Sequence, residues 1–86
     1  MNASHNVEPL VVMQPVAVDT ASPDRNGMLV LASGMLIAVL VKLETPDHEQ
    51  PGWFLEATFG NLDRRSAPVF DTLDDATRWF RQRVKA

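Results

Sequence analysis

The residues best suited to chemistry are the adjacent trio Asp47, His48 and Glu49. Carboxylate and imidazole are ligands for divalent metals and partners in general acid–base catalysis. Their spacing argues against both roles. Neighbours in an extended loop point in different directions, and a metal site needs three or four converging ligands. The trio reads as a solvated loop. His5, the other histidine, lies in the N-terminal stretch. Asp74 and Asp75 form a second carboxylate pair, but adjacent helical positions diverge by about 100°. Acids in a first helical turn are also accounted for by the helix dipole. The chain has no cysteine and no tyrosine, which excludes disulfides and thiolate metal sites. No histidine is spaced from a serine in a way that suggests a triad, and Gly27, Gly34, Gly52 and Gly60 are scattered at turns without forming a phosphate-cradling loop. The expectation is a non-enzyme with no catalytic, cofactor-binding or metal-binding residues.

Charge is unevenly distributed. Residues 1–60 carry two basic and seven acidic side chains, net −5, whereas residues 61–86 carry six basic and four acidic ones, net +2. Arg64 and Arg65 lie in a loop, and Arg78, Arg81 and Lys85 share a helical face at i, i+3 and i+7. Such a stripe can contact phosphates. These five residues define the alternative function, a weak binder of nucleic acid or an anionic ligand through the C-terminal helix and the 60–68 loop. The competing reading is a solvated helix face, with Asp74 and Arg78 paired at i, i+4 and the later bases serving the dipole.

These side chains must be positioned by a small framework. Eighty-six residues allow one domain with a modest core. The run from Gly27 to Val41 is free of charge. As a helix its 15 residues would reach about 22 Å, short of the roughly 30 Å of a bilayer core. Ser33-Gly34 at its middle is a hairpin signal, and Val30, Ile37, Val39 and Val41 favour strands. "WFLEATF" alternates like a half-buried strand. "TLDDATRWFRQRVKA" has a Thr72 cap, acids first, bases last, and an apolar stripe of Leu73, Ala76, Thr77, Phe80 and Val84. The predicted fold is α+β, a three-stranded antiparallel meander (about 28–32, 35–44 and 52–59) backed by a helix over about 73–85. Residues 1–27 read as a poorly ordered leader, with a docking or edge-strand segment at 10–18, and residues 28–86 as the domain. Pro15 bars that segment from a central strand.

Three strands followed by a helix resemble, in element order over about residues 28–85, the arm-binding domains of some integrases and a class of plant DNA-binding domains. Those families read DNA with residues projecting from the sheet. Here the strands carry Leu36, Ala38, Leu40, Phe54, Glu44 and Glu56, with Lys42 as their one base, so the resemblance transfers no function.

The helix can cover one sheet face, taken as that of Val39, Val41, Trp53 and Leu55. The other face then keeps Leu29, Leu31, Leu36, Ala38, Leu40 and Phe54, an apolar surplus of the kind that marks an interface. The expected function is a non-catalytic protein-interaction module, self-associating as a homodimer or binding an unidentified protein. Its anchors are Leu29, Leu31, Leu36, Leu40 and Phe54. No membrane or nucleic-acid partner is expected, and a cysteine-free chain suits the cytoplasm.

Overall fold

The computed structural model describes residues 10–44, 46, 50–65 and 67–84. Four strands, β1 (Val11–Ala17), β2 (Asn26–Ala32), β3 (Met35–Leu43) and β4 (Gly52–Thr58), precede one helix, α1 (Leu73–Arg83). The strands form one antiparallel sheet in the order β1-β2-β3-β4. The sheet thus has four strands where the sequence predicts three. The extra one is the edge-strand segment of the N-terminal stretch, so residues 10–27 are built into the fold as β1, its connection to β2 and the start of β2. Residues 1–9 lie outside the described residues.

Pro15 fits β1 because of the strand's phase. Ser33 N–H donates to the Leu10 carbonyl at 2.9 Å, and Val18 N–H to the Arg25 carbonyl at 2.8 Å. In this register even-numbered residues of β1 turn their amides toward β2 and odd-numbered ones turn them outward. Pro15 therefore lacks its N–H on the free side, where no ladder bond is lost.

The β2–β3 hairpin turns at Ser33 (φ 51°) and Gly34 (φ 83°). Two successive positive φ values suit the right-handed twist of the strands they join. Ala32 pairs with Met35 and Leu31 with Leu36, as the pattern predicts, but Val30 pairs with Ala38 instead of Ile37. Ile37 is the extra residue of a β-bulge. A second irregularity, at Glu56, separates the pairs Val39–Ala57 and Leu40–Leu55. Because strand side chains alternate, the first bulge exchanges the two faces of β3. Ala38 and Leu40 join Val30 and Leu55 in the helix-side core. Val39 and Val41 fall on the other face. This corrects the predicted assignment, which ran the alternation through the hairpin unbroken.

Helix α1 begins where predicted. Thr72 Oγ1 accepts the Asp75 N–H at 3.0 Å, and Asp74 and Asp75 occupy the first turn. It ends at Arg83, two residues before the predicted boundary. Ala76, Trp79 and Phe80 are its buried residues. Trp79 lies outside the predicted stripe. It is held edge-on by Phe70 (centroids 5.5 Å apart) and Phe80 (5.2 Å), and the Arg83 guanidinium sits 4.1 Å from its ring centroid. None of the helices in the described residues is long and apolar enough to cross a membrane.

Candidate interaction surface

The helix covers one face of the sheet. Cross-strand register places the side chains of the second face in rows. Val12, Leu31 and Leu36 form the first, Gln14, Leu29, Val39 and Ala57 the second, and Val16, Gly27, Val41 and Phe54 the third. The first two rows contain no charge. Val12, Leu36 and Phe54 are exposed, while Leu29, Leu31 and Val39 are half-buried.

The third row is roofed by the β1–β2 connection, residues 18–25. Val18 packs so closely on Gly27 that a Cβ there would lie 2.7 Å from Val18 Cγ2. Val41 is buried although it faces away from the helix. Hydrogen bonds fix the roof. Thr20 Oγ1 donates to the Asp24 carbonyl at 2.6 Å. Asp24, itself buried, accepts the Glu44 N–H at 2.8 Å. Asn26 Nδ2 donates to Glu44 Oε2 at 2.7 Å. A cleft of about 300 Å³ remains between Thr20, Ser22, Leu43, Phe54 and Glu56.

Both sheet edges are blunted. Along β4, Trp53 and Phe70 exchange backbone hydrogen bonds of 2.7 and 2.9 Å. Arg64 donates to the carbonyls of Leu55 and Glu56 at 3.0 Å each. Along β1, Pro15 interrupts the free edge, a common guard against strand addition.

Of the five predicted anchors, Leu29, Leu31, Leu36 and Phe54 lie on this second face. Leu40 does not. It is 0% exposed in the helix-side core, because the Ile37 bulge reverses its side. Val12 and Val39 take part in the face and were missed by the sequence reading. Val12 lies in the stretch that the sequence pattern reads as a leader, and Val39 changes sides at a bulge that no residue type signals.

Three of the five predicted anion-contact residues, Arg64, Arg65 and Arg78, are engaged within the chain. Arg64 is turned onto the β4 backbone. Arg65 meets Asp63 at 2.9 Å, and its hydrogen bonds pull the Asp63 carboxyl down to about 2. Arg78 pairs with Asp75 at 3.3 Å, at i, i+3, where the sequence suggested Asp74. Arg81 is exposed in the last helical turn. Lys85, and the trio Asp47, His48 and Glu49, lie outside the described residues. Among the described residues no group of three His, Cys, Asp or Glu side chains is arranged to hold a metal ion.

Comparison with protein-family models, with curated proteins and with solved structures finds no match to this chain.

Proposed function

We propose that the protein is a non-catalytic interaction module that self-associates through the second face of its sheet. The observation that carries this reading is the pair of uncharged rows, Val12–Leu31–Leu36 and Gln14–Leu29–Val39–Ala57, left uncovered beside a roofed third row. A sheet face open to water is ordinarily polar. A second copy suits it because an uncharged face meets its own image under a two-fold axis without opposing like charges. Blunted edges leave face-to-face packing, with the sheets about 10 Å apart, as the mode of association. The open rows span four strands and two residue pairs, a projected area of roughly 300 Å² per copy. That is small for a specific interface, so the dimer is weak and concentration-dependent.

Sedimentation equilibrium across a wide concentration range tests the reading. A reversible monomer–dimer equilibrium is expected, shifted to monomer by Leu36→Glu, in the first row and 40% exposed, with the circular dichroism of the fold retained. A monomer at every concentration refutes it.

The anionic-ligand alternative draws less support from the geometry. Arg64, Arg65 and Arg78 are engaged with backbone or carboxylate partners within the chain.

A further inference from the structure

The exposed large apolar residues are not spread over the molecule. Leu10, Val12, Met35, Leu36 and Phe59 lie at one end of the sheet, and the sixth, Phe54, lies toward the other, opposite Val41. That end carries the Ser33-Gly34 turn, the start of β1 and the exit from β4. Leu10 is bonded to Ser33, and Phe59 N–H donates to the Ile37 carbonyl at 2.9 Å. Met35 is 73% exposed and Leu10 66%. The end projects outward: a Cβ built on Gly34 or on Gly60 would meet nothing within 4 Å.

The same end carries the basic charge. A cleft of about 450 Å³ joins Ile37, Phe59 and Leu62 to Arg83 and Val84 of the helix C-terminus. The charged described residues on this side are Arg64, Arg65, Arg81 and Arg83 against Glu56 and Asp63, net +2. At the opposite end, around the 18–25 and 44–52 connections and the body of the helix, Asp19, Asp24, Glu44, Asp71, Asp74 and Asp75 outnumber Arg25, Lys42 and Arg78, net −3. The described residues, with seven bases and eight acids, thus have an uneven charge distribution, with the apolar residues at the positive pole.

We propose that this pole docks on an anionic lipid surface. Met35 and Leu10 enter the interfacial region, and Arg81 and Arg83 lie at headgroup level. A projecting apolar end with cationic neighbours fits a bilayer interface, where burial of apolar side chains and attraction to anionic lipid add together. A peptide would sit in the cleft beside Arg83, but the most exposed apolar residues, Met35 and Leu10, lie outside its lining. A second copy meeting this pole would bring like charges together. The chain lies on the surface without spanning it; the pole shares Val12 and Leu36 with the first row proposed for self-association, whereas Leu10, Met35 and Phe59 lie outside those rows.

Vesicle co-sedimentation of the full chain tests the proposal, using phosphatidylcholine vesicles with and without about one-third phosphatidylglycerol. Binding to the anionic vesicles is expected. It should weaken with added salt and fall roughly tenfold or more for Met35→Glu. Met35 lies beside an exposed turn, so this variant should keep the parent's circular dichroism and melting temperature. Met35→Leu should bind like the parent. Absence of binding to anionic vesicles overturns the proposal, as does binding that Met35→Glu leaves unchanged. A Met35→Glu effect on self-association without vesicle binding would overturn it too, and would give this pole to a second copy. Failure of the dimer reading leaves these outcomes unaffected, because the vesicle assay is run on whatever state the chain adopts.

Discussion

Truncating Leu36 and Leu40 to alanine, one at a time, tests the bulge that divides the two faces of β3. With unbroken alternation the two residues would share a face, being four apart, and the two losses would be similar. In the structure Ile37 is extra between them. Leu40 is 0% exposed and Leu36 is 40% exposed. Leu40 packs in the cluster with Val30, Leu55 and Phe80, so Leu40→Ala leaves a cavity and should lower stability by about 2–5 kcal/mol. Leu36→Ala removes a side chain already partly in water, a loss of roughly 1 kcal/mol. In a domain of this size 1 kcal/mol moves the melting temperature by about 4–8 °C. Leu40→Ala should therefore melt about 8 °C or more below the parent, and Leu36→Ala about 4–8 °C below it. Urea unfolding at low protein concentration, where self-association makes no contribution, gives the two free energies. Equal losses, or a larger loss for Leu36→Ala, would refute the bulged register and the assignment of faces built on it.

Glycine substitutions separate steric fit from backbone strain. Gly52 has φ 140°, and a Cβ there would overlap the Phe70 carbonyl oxygen, so Gly52→Ala should break the Trp53–Phe70 bridge and cost more than about 2 kcal/mol in urea unfolding. Gly60→Ala, at φ 66° with open space around it, should cost only about 1 kcal/mol; the reverse order would contradict the packing of the 60–72 segment on β4. The Asp63 carboxyl, held down to about 2 by hydrogen bonds from Arg65, should titrate by carbon NMR well below its ordinary 3.8, and Arg65→Ala should return it toward that value. Since its folded pKa is depressed, any stability the pair supplies is present above the unfolded pKa of 3.8 and is lost as pH falls toward 2; an Asp63 titration unchanged by Arg65→Ala would refute the assignment.

The helix and the hairpin were legible because each rests on local chemistry. Thr72 with Asp74 and Asp75 marks a helix start, and Ser33-Gly34 marks a tight turn. Both signals act within a few residues. β1 was half legible. Its apolar, β-branched sequence suggests a strand, but Pro15 reads as a breaker until the phase of the strand is known. That phase depends on pairing with β2, a tertiary fact. The apolar surplus on the second face was also legible, since one helix cannot cover two faces. Its membership was not. The bulge at Ile37 carries no glycine or proline, and a one-residue slip moved Leu40 into the core and Val39 out of it. Trp79 was missed for another reason. It lies at the margin of the helical stripe, and Phe70, nine residues upstream, brings it indoors by packing edge-on against it.

Under the proposed self-association the open rows have a use that the rest of the fold makes specific. The chain covers exposed structure elsewhere at some conformational expense. Residues 18–25 hold Ala21 at φ 59° and bury Asp24 so that a roof can lie over Gly27 and Val41. The roof needs glycine beneath it, since any Cβ at position 27 would collide with Val18 and with the Leu40 carbonyl oxygen. Arg64 covers the carbonyls of β4, and Pro15 guards β1. A fold with these means of closing a sheet end and two sheet edges ends its roof at the third row. Apart from Gln14, the first two rows stay apolar where Thr, Gln or Lys at Leu36 or Val39 would serve a solvated strand. On the proposed reading, leucine and valine there serve a face that a second copy covers part of the time. An association weak enough to reverse requires a sheet that remains folded when uncovered. The helix-side core supplies that stability, with Leu40, Val30, Ala38 and Phe80 all at 0% exposure.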